Sequence, residues 1–336
     1  MSESKPTDRD AETDIFSERT QLKPYEYSDF LDYTDAIRSS YWVHTEFNFS
    51  GDVQDFKVNT TPAEKTVIKR TMLAIAQIEV QVKTFWSDIY EEMPKAEIGS
   101  VGMTFAESEV RHMDAYSHLL DVLGIADDFE QMTEVPAVKN RIEYLDECLE
   151  NADSEDKDEY VMSILLFSTF VEHVSLFSQF LIMTSFDKYE KKFKGISNAV
   201  EATSKEEQIH GLFGVELVET IKEENPDMFD DEFEAEIQEA CQQAYEAEMD
   251  MLDWIFEEGT LEFLPRSYVD EFLKGRFNES LEKIDVEPLF ETDDDLLDET
   301  RWFDEDIMMT KDNDFFSKRS TTYNKHTQSV TAEEMF

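Results

Sequence analysis

The stretch SEVRHMDAY, residues 108–116, places side chains that bind metals or transfer electrons at helical spacing. Glu109 and His112 are three residues apart, and Tyr116 follows the histidine by four. Residues three, four and seven positions apart share one face of an α-helix, so these side chains would form a single stripe. One Glu-x-x-His pair is weak evidence, because surface helices contain many glutamates and this spacing is usually accidental.

A second pair with the same spacing, Glu207 and His210, occurs in KEEQIHGLFG. Two more glutamates lie in strongly apolar segments, Glu79 in AIAQIEVQV and Glu172 in STFVEHVSLF. Charged residues are rarely buried unless they are paired or coordinate a metal. One glutamate from each of two helices, with a Glu-x-x-His from each of two others, is the pattern of a ferritin-like dimetal-carboxylate bundle. The six candidate metal ligands are Glu79, Glu109, His112, Glu172, Glu207 and His210.

The composition of this ligand set indicates two divalent transition-metal ions. Four carboxylates balance the charge of two such ions, and one imidazole per ion leaves positions open for an oxygen species. Oxygen-rich sets with some imidazole suit iron and manganese better than metals that prefer thiolates. The competing interpretation is that both isolated glutamates are salt-bridged core residues and both histidines fill space. His118 and His173 fall off the spacing, so we expect them outside the ligand set.

Long helices must carry these residues. The chain has 336 residues but only 9 Gly and 8 Pro, and no stretch shows the Val, Ile and Thr alternation of a strand. Thr61 and Pro62 predict a helix start. We predict an all-α fold: a ferritin-like helical bundle with a dimetal-carboxylate core and additional helices. One helix should begin near residue 99, and the others should cover about residues 28–46, 61–93, 134–151, 153–186, 190–224, 230–257 and 261–285.

The two ends of the chain differ from its helical middle. Residues 1–25 are polar, and from Val286 onward the sequence is acidic and irregular. Segments of this composition bury too little apolar surface to fold alone. We therefore predict a flexible N-terminal arm at 1–25, a ferritin-like helical domain at 26–286 and a flexible C-terminal tail at 287–336.

Charge and composition argue against several classes of protein. The formal net charge is −49, from 79 acidic and 30 basic residues, whereas nucleic-acid binding requires Lys and Arg to contact phosphates. No apolar run is long enough to predict a membrane span, and the first residues have no apolar core of a secretory signal. The two cysteines, Cys148 and Cys241, form no CxxC pair. We expect a cytoplasmic protein with no nucleic-acid or membrane partner.

Residues 28–325 resemble the radical-generating small subunit of class I ribonucleotide reductase. The six candidate ligands match that family in type, order and separation, and Tyr116 falls where the family's radical tyrosine lies. The resemblance implies a dimetal centre that is activated by dioxygen or a reduced form of it, and that generates and stores a one-electron oxidant. The oxidant would pass to a cysteine of a large catalytic subunit, which reduces ribonucleotides to deoxyribonucleotides.

The resemblance also implies a relay for this oxidant. Trp42, in YWVHTEF, lies where the family has its relay tryptophan, and Glu206 occupies a position usually held by Asp. The oxidant would travel through His112, Glu206 and Trp42 to Tyr323, in DFFSKRSTTY, which is similar to the start of the family's flexible tail. Without the resemblance, Trp42 would be interpreted as a core aromatic residue and Tyr323 as a chance residue of the tail.

The end of the chain implies a partner. The terminal sequence EEMF is similar to the acidic-aromatic terminus that docks on the large subunit, and Met335 and Phe336 would be its anchors. The family also implies a homodimer.

Two residues depart from the common family pattern. The first ligand is Glu79, where the common iron-tyrosyl members have Asp; Glu resembles subgroups that use manganese, or manganese with iron, and store the oxidant on the metals. We therefore expect a manganese-containing centre, although Tyr116 leaves tyrosyl storage open. Glu206 in place of Asp lengthens the link between Trp42 and His112 by one methylene. The sequence alone does not predict the geometry of this longer link.

Two other classes of protein remain as alternatives. One is a ferritin-like dimetal oxidase that acts directly on an organic substrate, and the other is a metal-storage or purely structural helical protein. Neither needs the tail that carries Tyr323 and Phe336. A chain with neither a Gly-rich phosphate loop nor paired cysteines could not reduce ribonucleotides by itself.

Overall fold

The computed structural model describes residues 14–314 except positions 153 and 155, and it divides after Thr300 into two compact units. No strand occurs among these residues, which confirms the all-α prediction. The second unit contains α14, Arg301–Asp314. The helices of the first unit are α1 Leu31–Ser39, α2 Ser50–Gln54, α3 Pro62–Gln81, α4 Phe85–Glu92, α5 Ala96–Leu123, α6 Asp128–Met132, α7 Pro136–Glu150, α8 Lys157–Leu166, α9 Phe177–Ser185, α10 Lys194–Glu224, α11 Asp231–Phe256, α12 Arg266–Lys283 and α13 Asp294–Asp298.

Side-chain hydrogen bonds fix the N-termini of α3 and α10, the helices that carry the first and the last of the candidate ligands. At α3, the Thr61 hydroxyl accepts a hydrogen bond from the Glu64 amide at 3.2 Å, and the Glu64 carboxylate accepts one from the Thr61 amide at 2.6 Å. This capping box agrees with the predicted helix start. At α10, buried Asp52 of α2 accepts the amides of Gly195 and Ile196 at 3.2 and 2.8 Å. A carboxylate held there also complements the positive end of the helix dipole.

The predicted helix over 28–46 is wrong at its C-terminal end. Helix α1 stops at Ser39, and Trp42 lies in the non-helical segment between α1 and the short 3-10 turn His44–Glu46. The hydroxyls of Ser39 and Ser40 bond to the carbonyl of Ala36 at 2.8 and 3.1 Å. Serine side chains compete in this way for main-chain groups and favour helix ends.

The long apolar helix predicted over 153–186 is interrupted. Between α8 and α9 the chain forms a π-helical turn, Phe167–Ser175, which carries Glu172, and a second π-helical turn, Phe186–Glu190, follows α9. Helix α12 supplies hydrogen bonds to main-chain oxygens of the first turn: Ser280 donates to Thr169 at 3.0 Å, and Arg276 donates to His173 at 2.8 Å. π-Helical turns are rare and often occur at functional sites.

The same apolar stretch resembles a membrane-spanning helix in composition but is part of the core. Lys157–Glu190 is long and apolar enough to cross a membrane by length and composition, yet 94% of its most apolar window is buried inside the structure. Its apolar character is that of a core element.

Helix α10 approaches the Glu172-bearing turn closely through two glycines. A Cβ added at Gly214 would lie 1.9 Å from the Ser168 hydroxyl and 2.1 Å from the Ser168 Cβ. A Cβ at Gly211 would lie 3.3 Å from the Ser168 carbonyl. Because glycine has no Cβ, the turn can pack directly against the helix that carries Glu207 and His210.

The prediction of an irregular chain after Val286 is wrong for the residues that the structure describes. Helices α13 and α14 form within this region, and Asn278 of α12 bonds to the main chain of Leu289 and Phe290 at 2.8–3.1 Å. The Phe290 ring also packs against Tyr245, with centroids 4.5 Å apart. The acidic composition of this region gave no indication of these contacts with α11 and α12. Residues 315–336 lie outside the described part of the chain.

The described part of the predicted N-terminal arm contacts the helical body. The amide of Ile15 donates to Glu224 at 2.9 Å, and Arg19 pairs with Glu97 of α5. Ile15 is fully buried. Residues 1–13 lie outside the described residues.

Substituting Gly214 should test the close packing at Glu172. Gly214→Ala forces a methyl group into Ser168, and overpacking of this kind costs about 1–3 kcal/mol of unfolding free energy. Ser168→Gly in the same chain removes the clashing atoms and should restore part of this loss. As a control, Gly51→Ala on α2 meets no atom within 4 Å and should be neutral or stabilising. Urea unfolding of the three variants measures these differences; equal stability of Gly214→Ala and wild type would contradict the packing.

Candidate metal centre

The six predicted ligands meet in the core at four elements. Helix α3 contributes Glu79, α5 contributes a Glu-x-x-His pair, the π-helical turn contributes Glu172, and α10 contributes the other pair. They form two overlapping groups in which one ligand atom of each residue lies within 4.8 Å of the others. The first group is Glu79, Glu109, His112 and Glu207, and the second is Glu109, Glu172, Glu207 and His210. The two groups share Glu109 and Glu207. Each of the six residues is at most 1% exposed.

Hydrogen bonds on the outer side of His112 fix its ring. Its Nε2 atom lies 2.7 Å from Glu206 Oε2, so Nε2–H donates to that carboxylate. Nδ1 then carries the lone pair and faces the ligand cluster, 2.9 Å from Glu207 Oε1 and 3.5 Å from Glu109 Oε2. A carboxylate that binds the far nitrogen of an imidazole is the usual support for a metal-binding histidine.

His210 is oriented by a different partner. Its Nε2 atom lies 3.0 Å from the hydroxyl of Ser108, whose own hydrogen is donated to the carbonyl of Phe105 at 2.7 Å. Since that hydrogen is already used, the serine oxygen accepts Nε2–H. The Nδ1 lone pair therefore points to the carboxylates, 2.9 Å from Glu109 Oε1 and 3.3 Å from Glu207 Oε2.

The atoms facing the cluster interior lack hydrogen-bond partners among the described residues. They include both carboxylate oxygens of Glu79, Glu109 and Glu207 and the Nδ1 atoms of both histidines. The short nitrogen–oxygen distances do not have hydrogen-bond geometry. Uncompensated buried charge costs several kcal/mol per ion, whereas buried charges that coordinate a metal are compensated. These residues fit a group of two cations, with Glu109 and Glu207 placed to bind both.

Protonation equilibria reflect the same crowding of charge. Burial, with added repulsion from Glu109 and Glu207, raises the pKa of Glu79 and Glu172 well above the usual range. Burial alone would lower the pKa of both histidines, but their carboxylate neighbours outweigh it and raise that pKa well above its ordinary value. In the metal-free cluster Nδ1 of each histidine therefore holds a proton, and a cation must displace this proton to reach the lone pair.

Trp86 contacts the clustered residue Glu172, and the sequence analysis did not predict this contact. Its indole N–H donates to Glu172 Oε1 at 2.6 Å, and the side chain is fully buried. Trp86 follows Glu79 by seven residues, a same-face spacing in an uninterrupted helix. That spacing was the available signal, although the 3-10 turn Val82–Thr84 separates the two residues.

Tyr116 lies on the predicted stripe of α5 and is 1% exposed. Its hydroxyl has no hydrogen-bond partner among the described residues. Burial, followed by the negative charge of Glu79, raises the pKa of the phenol above its ordinary value. The phenol therefore stays protonated at neutral pH.

The structure brings Trp42, Glu206 and His112 into one hydrogen-bonded row. The Trp42 indole donates to Glu206 Oε2 at 3.0 Å, and the same oxygen accepts from His112 Nε2 at 2.7 Å. The extra methylene of glutamate therefore does not interrupt the row. The Trp42 and His112 rings also stack, with centroids 5.8 Å apart.

Arg111 binds two members of this row, and the sequence analysis did not predict its role. Its Nη1 and Nη2 atoms donate to the two oxygens of Glu206 at 3.1 Å each, and Nη1 also donates to the carbonyl of Trp42 at 3.1 Å. Its guanidinium lies 4.6 Å from the ring centroid of Tyr41. A two-pronged contact of this kind fixes a carboxylate in one orientation. Nothing in the spacing of residues distinguishes Arg111 from a surface arginine.

The other predicted residues lie elsewhere. His118 is half-buried against His44, with ring centroids 5.0 Å apart. His173 is buried and bonds to Ser280 at 2.9 Å and Lys283 at 2.8 Å, away from the two ligand groups. Tyr323, together with the predicted anchors Met335 and Phe336, lies outside the described residues.

Comparison with known proteins identifies relatives along most of the chain. The sequence profile of the family "ribonucleotide reductase, small chain" matches residues 19–300. A probable ribonucleoside-diphosphate reductase small subunit of Invertebrate iridescent virus 3 is 23% identical over 326 residues, which cover 93% of this chain and 86% of the viral protein.

Solved structures share the fold. The ribonucleotide reductase R2 subunit from Clostridium botulinum superimposes with a TM-score of 0.75 at 18% identity, covering 84% of this chain and 88% of that one. An R2-like ligand-binding oxidase with an Mn/Fe cofactor gives 0.67 at 18% identity, covering 77% and 93%. Both confirm the predicted ferritin-like fold. Since the family profile spans all six clustered residues and most of the sequence, the chain belongs to the small-chain family of ribonucleotide reductase.

Proposed function

We propose that this chain is the radical-generating subunit of a ribonucleoside-diphosphate reductase and supplies a one-electron oxidant to a large catalytic subunit. The observation that carries the proposal is the two overlapping ligand groups, one of which is joined through His112 and Glu206 to Trp42. A site that only stored metal would have no use for an oxidisable side chain hydrogen-bonded to its outer edge.

Two transition-metal ions would be held by the six clustered residues. His112 and Glu79 would bind one ion, His210 and Glu172 would bind the other, and Glu109 and Glu207 would bind both. When bound, such a pair supplies the oxidising equivalent that the chain transfers. Oxygen-rich ligands with one imidazole per ion suit manganese and iron. We favour a manganese-containing pair, because Glu79 replaces the Asp of the common iron-tyrosyl members.

Hydrogen bonds hold the side chains through which the oxidant would leave the metal centre. Arg111 holds Glu206 by both oxygens, and Glu206 in turn holds the Trp42 indole and the His112 imidazole. Trp42 is 5% exposed, so its ring is protected from water while it remains close to the surface. An oxidised Trp42 would take an electron from Tyr323, which would then oxidise a cysteine of the partner.

The tail would bring Tyr323 to the partner. Residues 324–336 follow it and end in Met335 and Phe336, two apolar residues after a pair of glutamates. A segment that folds on binding can dock through a few such anchors. We further propose a homodimer in the cytoplasm, without a nucleic-acid or membrane partner.

The alternative function is a ferritin-like dimetal oxidase that acts directly on an organic substrate. The likeness to an R2-like ligand-binding oxidase, at a TM-score of 0.67, keeps this alternative in view. An oxidase of that kind would turn over its substrate alone. Mixing the metal-loaded chain with a large reductase subunit and measuring deoxynucleotide formation distinguishes the two: no deoxynucleotide with an active large subunit would contradict the reductase assignment.

Glu172→Gln should weaken metal binding without unfolding the chain. Glutamine keeps the volume and can still accept the Trp86 hydrogen bond, but it removes one negative charge. We expect metal affinity at this position to fall about tenfold or more. Burial and the neighbouring carboxylates already hold the pKa of Glu172 well above its usual range, so the metal-free variant should unfold at about the same temperature as metal-free wild type. Metal analysis after desalting, and thermal unfolding with chelator, measure the two effects.

Glu97→Gln is the matched control for the ligand variant. Glu97 is equally buried but binds Arg19 and the amide of Tyr27, outside the cluster. It should retain two metals per chain. Two tightly bound metals in Glu172→Gln would contradict the ligand assignment.

Tyr116→Phe should retain both metals, because the phenol is not among the six ligands. If the metals store the oxidant, as Glu79 indicates, a high-valent metal signal and considerable turnover should survive the substitution. If Tyr116 stores it, a sharp organic radical signal and turnover should vanish together. Electron paramagnetic resonance and turnover assays distinguish these outcomes, with Tyr144→Phe on α7 as the control for loss of a buried phenol. We expect metal storage; a tyrosyl signal lost together with activity would reverse that expectation.

Deleting residues 324–336 should abolish binding to the large subunit while metal content and the oxidised centre stay intact. Tyr323→Phe should do the opposite: binding remains near normal, but turnover stops because phenylalanine is not oxidised at an accessible potential. Binding by surface plasmon resonance and turnover of both variants separate docking from transfer. Normal deoxynucleotide formation by the truncated chain, at ordinary subunit concentrations, would show that the tail is not the docking element.

A further inference from the structure

Two tryptophans reach the metal cluster, and the proposed function uses only one of them. Trp42 connects through Glu206 to His112, whereas Trp86 donates its indole N–H directly to the ligand Glu172 at 2.6 Å. The Trp86 side chain is fully buried. Indole is among the most easily oxidised side chains, so an oxidant held at the cluster has one electron donor bonded directly to Glu172 and another joined to His112 through Glu206.

Aromatic contacts continue from Trp86 towards α1. The ring centroid of Trp86 lies 5.6 Å from that of Phe213, and Phe213 lies 5.5 Å from Tyr33. Both contacts are edge-to-face. Phenylalanine is not readily oxidised, but here it joins two side chains that are. Tyr33 is 8% exposed, whereas Trp86 and Phe213 are fully buried, so the row runs from the cluster towards solvent.

Tyr33 has a proton acceptor in position. Its hydroxyl donates to Glu216 Oε2 at 2.5 Å. Burial, followed by the charge of Glu216, raises the pKa of the phenol above its ordinary value. The neutral phenol therefore keeps its proton, and a base is in contact when oxidation makes the proton strongly acidic. Tyrosine is oxidised readily only when its proton can leave with the electron.

We propose that Trp86, Phe213 and Tyr33 form a quenching route that returns one electron to the metal centre when no partner takes the oxidant. The proposal rests on the proposed function, because it requires a centre that holds a one-electron oxidant. Trp86 gives one electron to the centre and regains one from Tyr33, whose proton moves to Glu216. A small-molecule reductant of the ascorbate class returns one electron to the Tyr33 phenoxyl radical, and Glu216 returns the proton.

The chain contains a matched comparison for Tyr33. Tyr27 is also buried, and its hydroxyl donates to Glu224 at 2.9 Å. Its ring contacts Phe30, which in turn contacts Phe213, with centroid distances of 6.0 and 5.3 Å, so this row to Trp86 is one ring longer than that from Tyr33. Electron transfer weakens steeply with distance, so the route should use Tyr33 in preference to Tyr27.

The test measures how fast ascorbate discharges the oxidised centre of metal-loaded, full-length protein without the large subunit. Tyr33→Phe should slow the decay severalfold. Glu216→Gln should also slow it, because the amide still accepts the hydrogen bond but is a far weaker base. Tyr27→Phe should leave the decay unchanged, and Trp42→Phe should slow it less than Tyr33→Phe does. Freeze-quench paramagnetic resonance should detect a transient phenoxyl signal that narrows with ring-deuterated tyrosine and is absent from Tyr33→Phe.

Each outcome has a defined meaning. Unchanged decay in Tyr33→Phe and Glu216→Gln, or slowing by Trp42→Phe alone, would overturn the quenching route while leaving the proposed function intact. A wild-type chain that never forms an oxidised centre would overturn both. Trp86→Phe is a supporting variant, read only with metal content, because it also removes the hydrogen bond to Glu172. Tyr33→Phe should still support deoxynucleotide formation with the large subunit.

Discussion

Four buried carboxylates held together in the core are the constraint on which the rest of this structure depends. No lysine or arginine of the described residues pairs with Glu79, Glu109, Glu172 or Glu207, whose charged neighbours are the two histidines. The nearest cationic side chain of the row, Arg111, is bound to Glu206. Without a lysine or arginine partner, the four carboxylates are left to take protons or metal ions.

Holding these groups in place requires departures from regular helix. The π-helical turn Phe167–Ser175 carries Glu172, and it is held from outside by Ser280 and Arg276 of α12. Gly214 lets the same turn approach α10. Helix α1 ends at Ser39, which leaves the following segment free of helical geometry and allows Trp42 to bond to Glu206. Regular helices supply Glu79 and both Glu-x-x-His pairs, and the interruptions supply Glu172 and Trp42.

The sequence predicted the parts of the site that depend on local spacing. The three-residue separation within each Glu-x-x-His pair places both residues on one face of a helix, so the sequence alone predicted that each pair would point the same way. The interruptions could not be read in this way. The turn at Glu172 depends on hydrogen bonds from Arg276 and Ser280, more than 100 residues away in sequence. Arg111 resembles a surface arginine until Glu206 is placed opposite it, and acidic composition hid the helices after Val286.

The hydrogen bonds beyond the two histidines lead to different kinds of group. Beyond His112, the hydrogen bonds continue through Glu206 to the oxidisable ring of Trp42. Beyond His210, they pass to the Ser108 hydroxyl and stop at the main-chain carbonyl of Phe105, which accepts no electron or proton at accessible energy. Arg111 also binds the carbonyl of Trp42, so the carboxylate and the indole are fixed by one guanidinium. Because the guanidinium of Arg111 binds both oxygens of Glu206, the longer side chain is held in one orientation between Trp42 and His112.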